Sequence, residues 1–298
     1  MNKKNLSFVI LMVVSWGFYF VLCKLCVTIS GSPFVTGFFL RFMTCAFLSM
    51  YWRATIEENT VIIPKKLLFC VILIGALTYT FDVLINIGFQ YVSVSIGTIL
   101  LKTEIFFVLL ISFVFLKIRI KRHNYLFIIL MLLGVVLCMN MQTSDDRFNF
   151  YSLMFIASAV LNAICAFAIK HIQEKYTVGS FAIVYTNNNV SLVLYAICAV
   201  IFSHDQILNM ISEMSSLGAT IGIFGVCSIC QTLMMISYYR NLKDLPVWIV
   251  KSFLLFVPAL SMIIEFFLLK ATISIWSLLG FTFIFLGGLG ITIDSKNT

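Results

Sequence analysis

Residues 95–116 read SIGTILLKTEIFFVLLISFVFL, an apolar run interrupted by Lys102 and Glu104. A spanning helix needs about 20 predominantly apolar residues, so this run is long enough to cross a bilayer. A charge inside hydrocarbon is costly and is usually tied to function. The stretch therefore predicts a membrane protein that handles something polar. On a regular helix, residues two apart point to different sides, which makes Lys102 and Glu104 poor partners for each other.

Working outward, further hydrophobic stretches occur at 6–27, 34–52, 67–88, 125–141, 150–170, 181–202, 217–239, 247–269 and 273–293. Hydrophobic residues make up 61% of the chain and charged residues 11%, against roughly 25% charged in soluble domains. The longest connections, 53–66 and 203–216, are too short for a folded soluble domain. The expected fold is all-α integral membrane, with ten transmembrane helices. The net charge of +8 follows topology: with the N-terminus inside, fourteen basic residues fall on cytoplasmic segments and only Arg147 and Lys270 outside. That is the positive-inside pattern, and it removes the need for a nucleic-acid partner. The opening Met1-Asn2-Lys3-Lys4 resembles a secretory signal, but the apolar run after it is too long and no small-residue cleavage site follows. A retained first helix is expected.

The nine cysteines all fall in expected spans. The C-x-x-C spacings at Cys23–Cys26 and Cys227–Cys230 lie in apolar helices without a nearby histidine, so they read as small packing residues. His123, His171 and His204 lie near span ends and form no metal-binding cluster. No metal or cofactor is expected. Neither a reactive constellation for an intramembrane enzyme nor a nucleotide-binding loop is present, so the chain reads as no enzyme and as not directly ATP-driven.

The sequence also repeats. Gly134 and Gly287 stand 153 residues apart in the fifth and tenth spans. Lys24 follows Trp16 as Lys170 follows Asn162, and Arg41 follows Pro33 as Asn188 follows Ser180. These spacings suggest two five-helix halves, 1–141 and 142–298, within one transmembrane domain. Five is odd, so the halves enter the membrane in opposite directions. That is the inverted-repeat architecture of secondary transporters, with a substrate site between the halves.

Ser15-Trp16-Gly17-Phe18 through Lys24, then Ser32-Pro33 and Arg41-Phe42, resembles the opening of the drug/metabolite transporter superfamily, EamA type. Gly88-Phe89-Gln90-Tyr91-Val92-Ser93 through Leu133-Gly134-Val135 resembles the continuation, and Pro258, Gly280 and Gly287-Gly288 its second copy. Ile118 and Ala271 stand where the family often has Glu, and Asn162 where it often has Trp; a Pro common in the fourth span is missing around Glu104–Ile105. The resemblance implies ten spans, a central cavity, and export or exchange of amino acids and other metabolites; it names no substrate. By analogy it also implies a bacterial inner membrane.

Candidate site residues follow from the charges and polar stripes. Lys102 and Lys251 lie deep in their spans and serve either as ligands for a carboxylate or phosphate or as ion-pair partners within the bundle. Tyr79, Asp82, Asn86 and Gln90 share one helical face. Asp82 suits a substrate amine, a pairing with Arg41 or Lys102, or a proton; Glu104 is the second proton-coupling candidate. Arg41 either clamps a carboxylate or braces its span against Asp82. Asn188, Asn162 and Gln231 are candidate polar contacts, and Trp16 and Tyr19 mark a face that suits an organic ligand. Lys24 reads as a snorkelling, structural lysine, and Glu265 as interfacial.

The function expected is a secondary transporter, exporter or exchanger, of small polar metabolites. Amino acids or related carboxylate-bearing compounds lead, with alternating access through a central cavity. Exchange of phosphorylated or nucleotide-linked anions is the alternative, and a non-transporting scaffold or receptor the next. The partners expected are a small-molecule substrate and the lipid bilayer, with a homodimer permitted.

Overall fold

Breakers in the sequence set the helix boundaries. The computed structural model describes residues 3–54, 63–116, 122–140, 150–176, 178–216, 218–271 and 274–295. Residues 117–121, Arg147, Lys296 and the expected junction at 141–142 lie outside the described residues. Helix α1 (Lys3–Ser30) stops at Gly31, whose φ of 65° is the left-handed conformation that glycine adopts without steric cost. Helix α2 (Pro33–Ala54) opens on Pro33, whose missing N–H costs nothing in a first turn. Helix α3 (Lys65–Tyr91) follows Pro64.

The run quoted above forms two helices rather than one, α4 (Val94–Leu101) and α5 (Glu104–Leu116). Then come α6 (Arg122–Asn140), α7 (Phe150–Tyr176), α8 (Ser180–Phe202), α9 (His204–Ser216) and α10 (Gly218–Asp244). The chain closes with α11 (Val247–Phe253), a 3-10 turn (Leu254–Phe256), α12 (Val257–Leu269) and α13 (Ile275–Ser295). Among the described residues, eight helical segments are long and apolar enough to cross a membrane, with Val94–Ser112 and Val247–Leu269 each counted as one. Ile275–Gly290 is a shorter apolar helix. The chain is an integral membrane protein, and its regular structure among the described residues is all helical.

Helix α9 corrects an expectation, because 203–216 reads as a plain connection. Ile207, Met210 and Ile211 are spaced i, i+3, i+4, enough for one apolar stripe. Met210 is buried, while Leu208 and Ile211 stay exposed beside Gln206 and Asn209.

Small residues bring the helices together, as expected where lipid removes the hydrophobic drive for helix pairing. A side chain on Gly134 would press within 2.7 Å of the Gly280 carbonyl, and one on Gly287 within 2.7 Å of the Phe127 carbonyl. Helices α6 and α13 therefore meet backbone to backbone through a reciprocal pair of glycines. Gly88 and Gly97 admit the fully buried ring of Phe155 in the same way, joining α3 and α4 to α7.

Candidate functional site

The site begins where α4 breaks. Lys102 N–H donates to the Ile99 carbonyl at 3.0 Å, Thr103 N–H to Leu100 at 3.1 Å, and Phe106 N–H to Thr103 at 2.9 Å. These i→i+3 bonds wind the chain more tightly than an α-helix. The Thr103 hydroxyl also donates to the Leu100 carbonyl at 2.8 Å, a local bond that competes with the helical ladder. The tightened turn brings Lys102 and Glu104 to one side, with Nζ 3.6 Å from Oε1. The expectation that the two are poor partners assumed a regular helix and is corrected here.

The second break has a different cause. Pro258 has no N–H to offer the Leu254 carbonyl, so the ladder lapses into the 3-10 turn. Lys251 lies in the last turn of α11 and reaches Glu104 Oε2 at 3.0 Å. Asn162 on α7 donates to the same oxygen at 2.5 Å. Both lysines thus sit at the C-terminal ends of short helices, where the helix dipole favours a cation. Lys102, Glu104 and Lys251 are 2%, 1% and 0% exposed, so this is a desolvated cluster with two ammonium groups and one carboxylate.

Aromatic rings cover it. The Lys102 ammonium lies 5.8 Å from the Trp16 ring centre, and that of Lys251 lies 4.9 Å from the Tyr238 ring, within cation–π range. Trp16 and Tyr238 meet edge to face at 5.1 Å.

The same two rings line a cavity of about 50 Å³, together with Arg41, Thr78, Phe81, Asp82, Asn162, Cys165, Ile169, Met234, Met235 and Tyr239. Arg41 and Asp82 form a buried ion pair on its wall. Arg41 Nη1 also donates to Asn188 Oδ1 at 3.2 Å and contacts Met235 Sδ at 3.3 Å, while Asn188 Nδ2 returns a bond to the Arg41 carbonyl at 3.2 Å. A wider basin of about 340 Å³ lies at the ends of α2, α8 and α10, lined by Tyr51, Ser180, Arg240, Lys243 and Asp244 among others. Its charged groups reach solvent, so the narrower cavity is where desolvated chemistry resides.

Of the expected site residues, Trp16, Arg41, Asp82 and Asn162 line the cavity. Lys102, Lys251 and Glu104 converge behind it. The others are engaged in bonds between helices. Tyr79 donates to Cys198 Sγ at 2.9 Å, and Asn86 donates to the Tyr195 hydroxyl at 3.2 Å and accepts from Cys23. Gln231 donates to the Tyr19 hydroxyl at 3.2 Å and accepts from Thr44 at 2.8 Å. Tyr238 and Tyr239 escape the sequence reading because a span ending at residue 239 places them at the membrane surface. Helix α10 continues to Asp244, which draws both rings into the interior.

Three further side chains cap helix ends. Glu265 is buried rather than interfacial: its carboxylate accepts the N–H groups of Val94 at 2.9 Å and Ser95 at 2.8 Å, and the Ser95 hydroxyl. Lys24 donates to the carbonyls of Phe89 and Val92 at the end of α3. Lys170 donates to the carbonyls of Lys243 and Leu245 at the end of α10, at 3.1 and 3.3 Å.

Comparison with known proteins bears on the fold and family resemblance of the chain. A sequence model of the EamA-like transporter family matches residues 3–140, which bears out the resemblance over that segment. No curated protein matches the chain. A solved structure titled "Crystal structure of protein" is similar at a TM-score of 0.71, with 13% identity, over 100% of this chain and 99% of its own. That likeness concerns the fold alone.

Proposed function

We propose that the chain is a secondary carrier that moves small carboxylate-bearing metabolites, amino acids foremost, by alternating access between two inverted five-helix halves. The observation that carries the proposal is the cavity itself. It joins a cation and an anion, Arg41 and Asp82, on a wall that is otherwise mostly aromatic and apolar, with Thr78 and Asn162 as further polar groups. A zwitterion offers one partner to each charge, and a small apolar or polar body suits the remaining lining.

The inverted repeat is supported by pairs of equivalent contacts. Helices α4 and α11 open at Val94 and Val247, the same 153-residue offset that separates Gly134 from Gly287 and Phe127 from Gly280. Lys24 ties α1 to the turn before α4 as Lys170 ties α7 to the turn before α11. Arg41 and Asn188, equivalent in the sequence, bond each other, as residues beside a two-fold axis do. Short helices broken at corresponding positions are the pattern that marks a midplane site in inverted-repeat carriers. On this reading α6 and α13 complete ten spans. Both termini lie in the cytoplasm, the basin beside Arg240 and Lys243 opens inward, and the host is a bacterial inner membrane.

The test is a thermal-unfolding screen of detergent-purified protein against amino acids, organic acids, polyamines, sugar phosphates and nucleotides. A ligand at 100 times its dissociation constant adds about 2.7 kcal/mol. Stabilisation by amino acids that disappears in Asp82→Asn and Arg41→Gln is the expected outcome. Stabilisation by phosphorylated compounds alone would replace this reading with an exchanger of phosphorylated anions, and no shift from any compound would sink it.

A further inference from the structure

We propose that the Lys102–Glu104–Lys251 cluster is a second subsite, closed in this conformation by Trp16 and Tyr238, that takes the side-chain carboxylate of an amino dicarboxylate whose zwitterionic head engages Arg41 and Asp82. The inference rests on the carrier reading and narrows its substrate class.

Charge is the first ground. Arg41 and Asp82 cancel, whereas the cluster sets two ammonium groups against one carboxylate. The cluster therefore keeps one positive charge in excess, in residues at most 2% exposed. Burying an uncompensated charge is expensive. A neutral zwitterion leaves that excess in place and a cation worsens it. A ligand with a net charge of minus one removes it.

Connection between the two places is the second ground. Asn162 lines the cavity and also donates to Glu104, so one side chain bridges them. Trp16 and Tyr238 line the cavity and also carry the lysines on their rings. They come from different helices, α1 and α10, and Met234 and Met235 lie beside them. Thioether side chains repack easily, which leaves the rings room to part.

Unfilled hydrogen bonding is the third ground. The Tyr238 hydroxyl is buried, belongs to the cavity wall and meets no hydrogen-bond partner; Glu104 Oε1 likewise accepts no hydrogen bond. Buried polar atoms in native proteins are nearly always satisfied. A carboxylate entering between the rings would accept from the Tyr238 hydroxyl and from the lysines, drawing Lys102 or Lys251 partly from Glu104.

Titration of the purified full-length protein with L-glutamate, L-glutamine, L-aspartate and L-asparagine tests this, because each pair differs only in the side-chain charge. We expect each acid to bind at least about tenfold more tightly than its amide. In Lys102→Gln, which removes the excess charge, glutamate should fall to the affinity of glutamine. Equal binding of acid and amide by the native protein overturns the subsite and leaves the carrier reading standing. Failure of all four, together with every other amino acid, overturns both. If Lys102→Gln does not fold, the acid–amide comparison on the native protein still decides.

Discussion

The two broken helices have the same outline and are built from different chemistry. Helix α4 breaks without a proline, at a turn tightened by Thr103, and its N-terminus is held by Ser93 and by the carboxylate of Glu265. The break after α11 is imposed by Pro258, and the N-terminus of α11 has Pro246 with no side-chain cap. Each break puts a lysine at a helix end in the interior, yet only the first supplies an acid. The position equivalent to Glu104 under the 153-residue offset is Val257, which is fully buried. One carboxylate therefore serves both lysines. The break recurs and the acid does not, so the charge at the centre of the molecule is lopsided.

The largest effect should come from removing the shared acid. Glu104→Gln leaves two buried ammonium groups without a counter-ion, and breaking a buried pair in this way costs about 3–5 kcal/mol. Thermal or denaturant unfolding in detergent would read it directly. Adding Lys251→Met to Glu104→Gln should recover part of the loss, since it removes one of the stranded charges. If the double variant is as unstable as the single one, Glu104 does not serve as the counter-ion of Lys251, and the lopsided centre is not what the contacts indicate.

A second comparison concerns the two helix N-termini. Glu265 satisfies two backbone donors that α4 would otherwise bury unpaired. Glu265→Ala should cost about 1–2 kcal/mol, the upper range for loss of an N-terminal cap. At its equivalent, Ser112→Ala should change stability by less than about 0.5 kcal/mol. Similar losses at both positions would show that the N-termini of α4 and α11 are held equally, and the asymmetry would then be confined to Glu104.

The sequence foretold the frame better than the pairings. Apolar length located each of the eight described helical segments that are long and apolar enough to cross a membrane, because the bilayer imposes a nearly fixed count of residues. Spacings between Trp16 and Lys24 and between Pro33 and Arg41 carried the suggestion of two halves. The partnership of Lys102 with Glu104 could not be read, since it depends on a departure from regular helical winding that no proline announces. Glu265 was misplaced because its partners are backbone N–H groups on α4, which have no side-chain signature. Tyr238 was hidden by a span boundary drawn five residues short of Asp244. Arg41 with Asp82 was legible as an alternative, opposite charges on adjacent spans, although the sequence could not choose between a brace and a ligand clamp. The structure gives it both surfaces, a buried pair that also faces the cavity.

The smallest effect is the sharpest check on symmetry. Lys24 and Lys170 each close the C-terminal carbonyls of a long helix, α3 and α10, just before a short one begins. A cation at a helix C-terminus contributes about 0.3–1 kcal/mol, so Lys24→Met and Lys170→Met should each destabilise by that amount. Lys170 has an additional partner, Glu174 at 3.2 Å, but that carboxylate is 63% exposed and such surface pairs add little. The two losses should therefore agree within a few tenths of a kcal/mol. Equal losses would mean that the ends of α3 and α10 share one bracing device. A clear excess at Lys24 would mean instead that the side held by Glu265 is braced twice over.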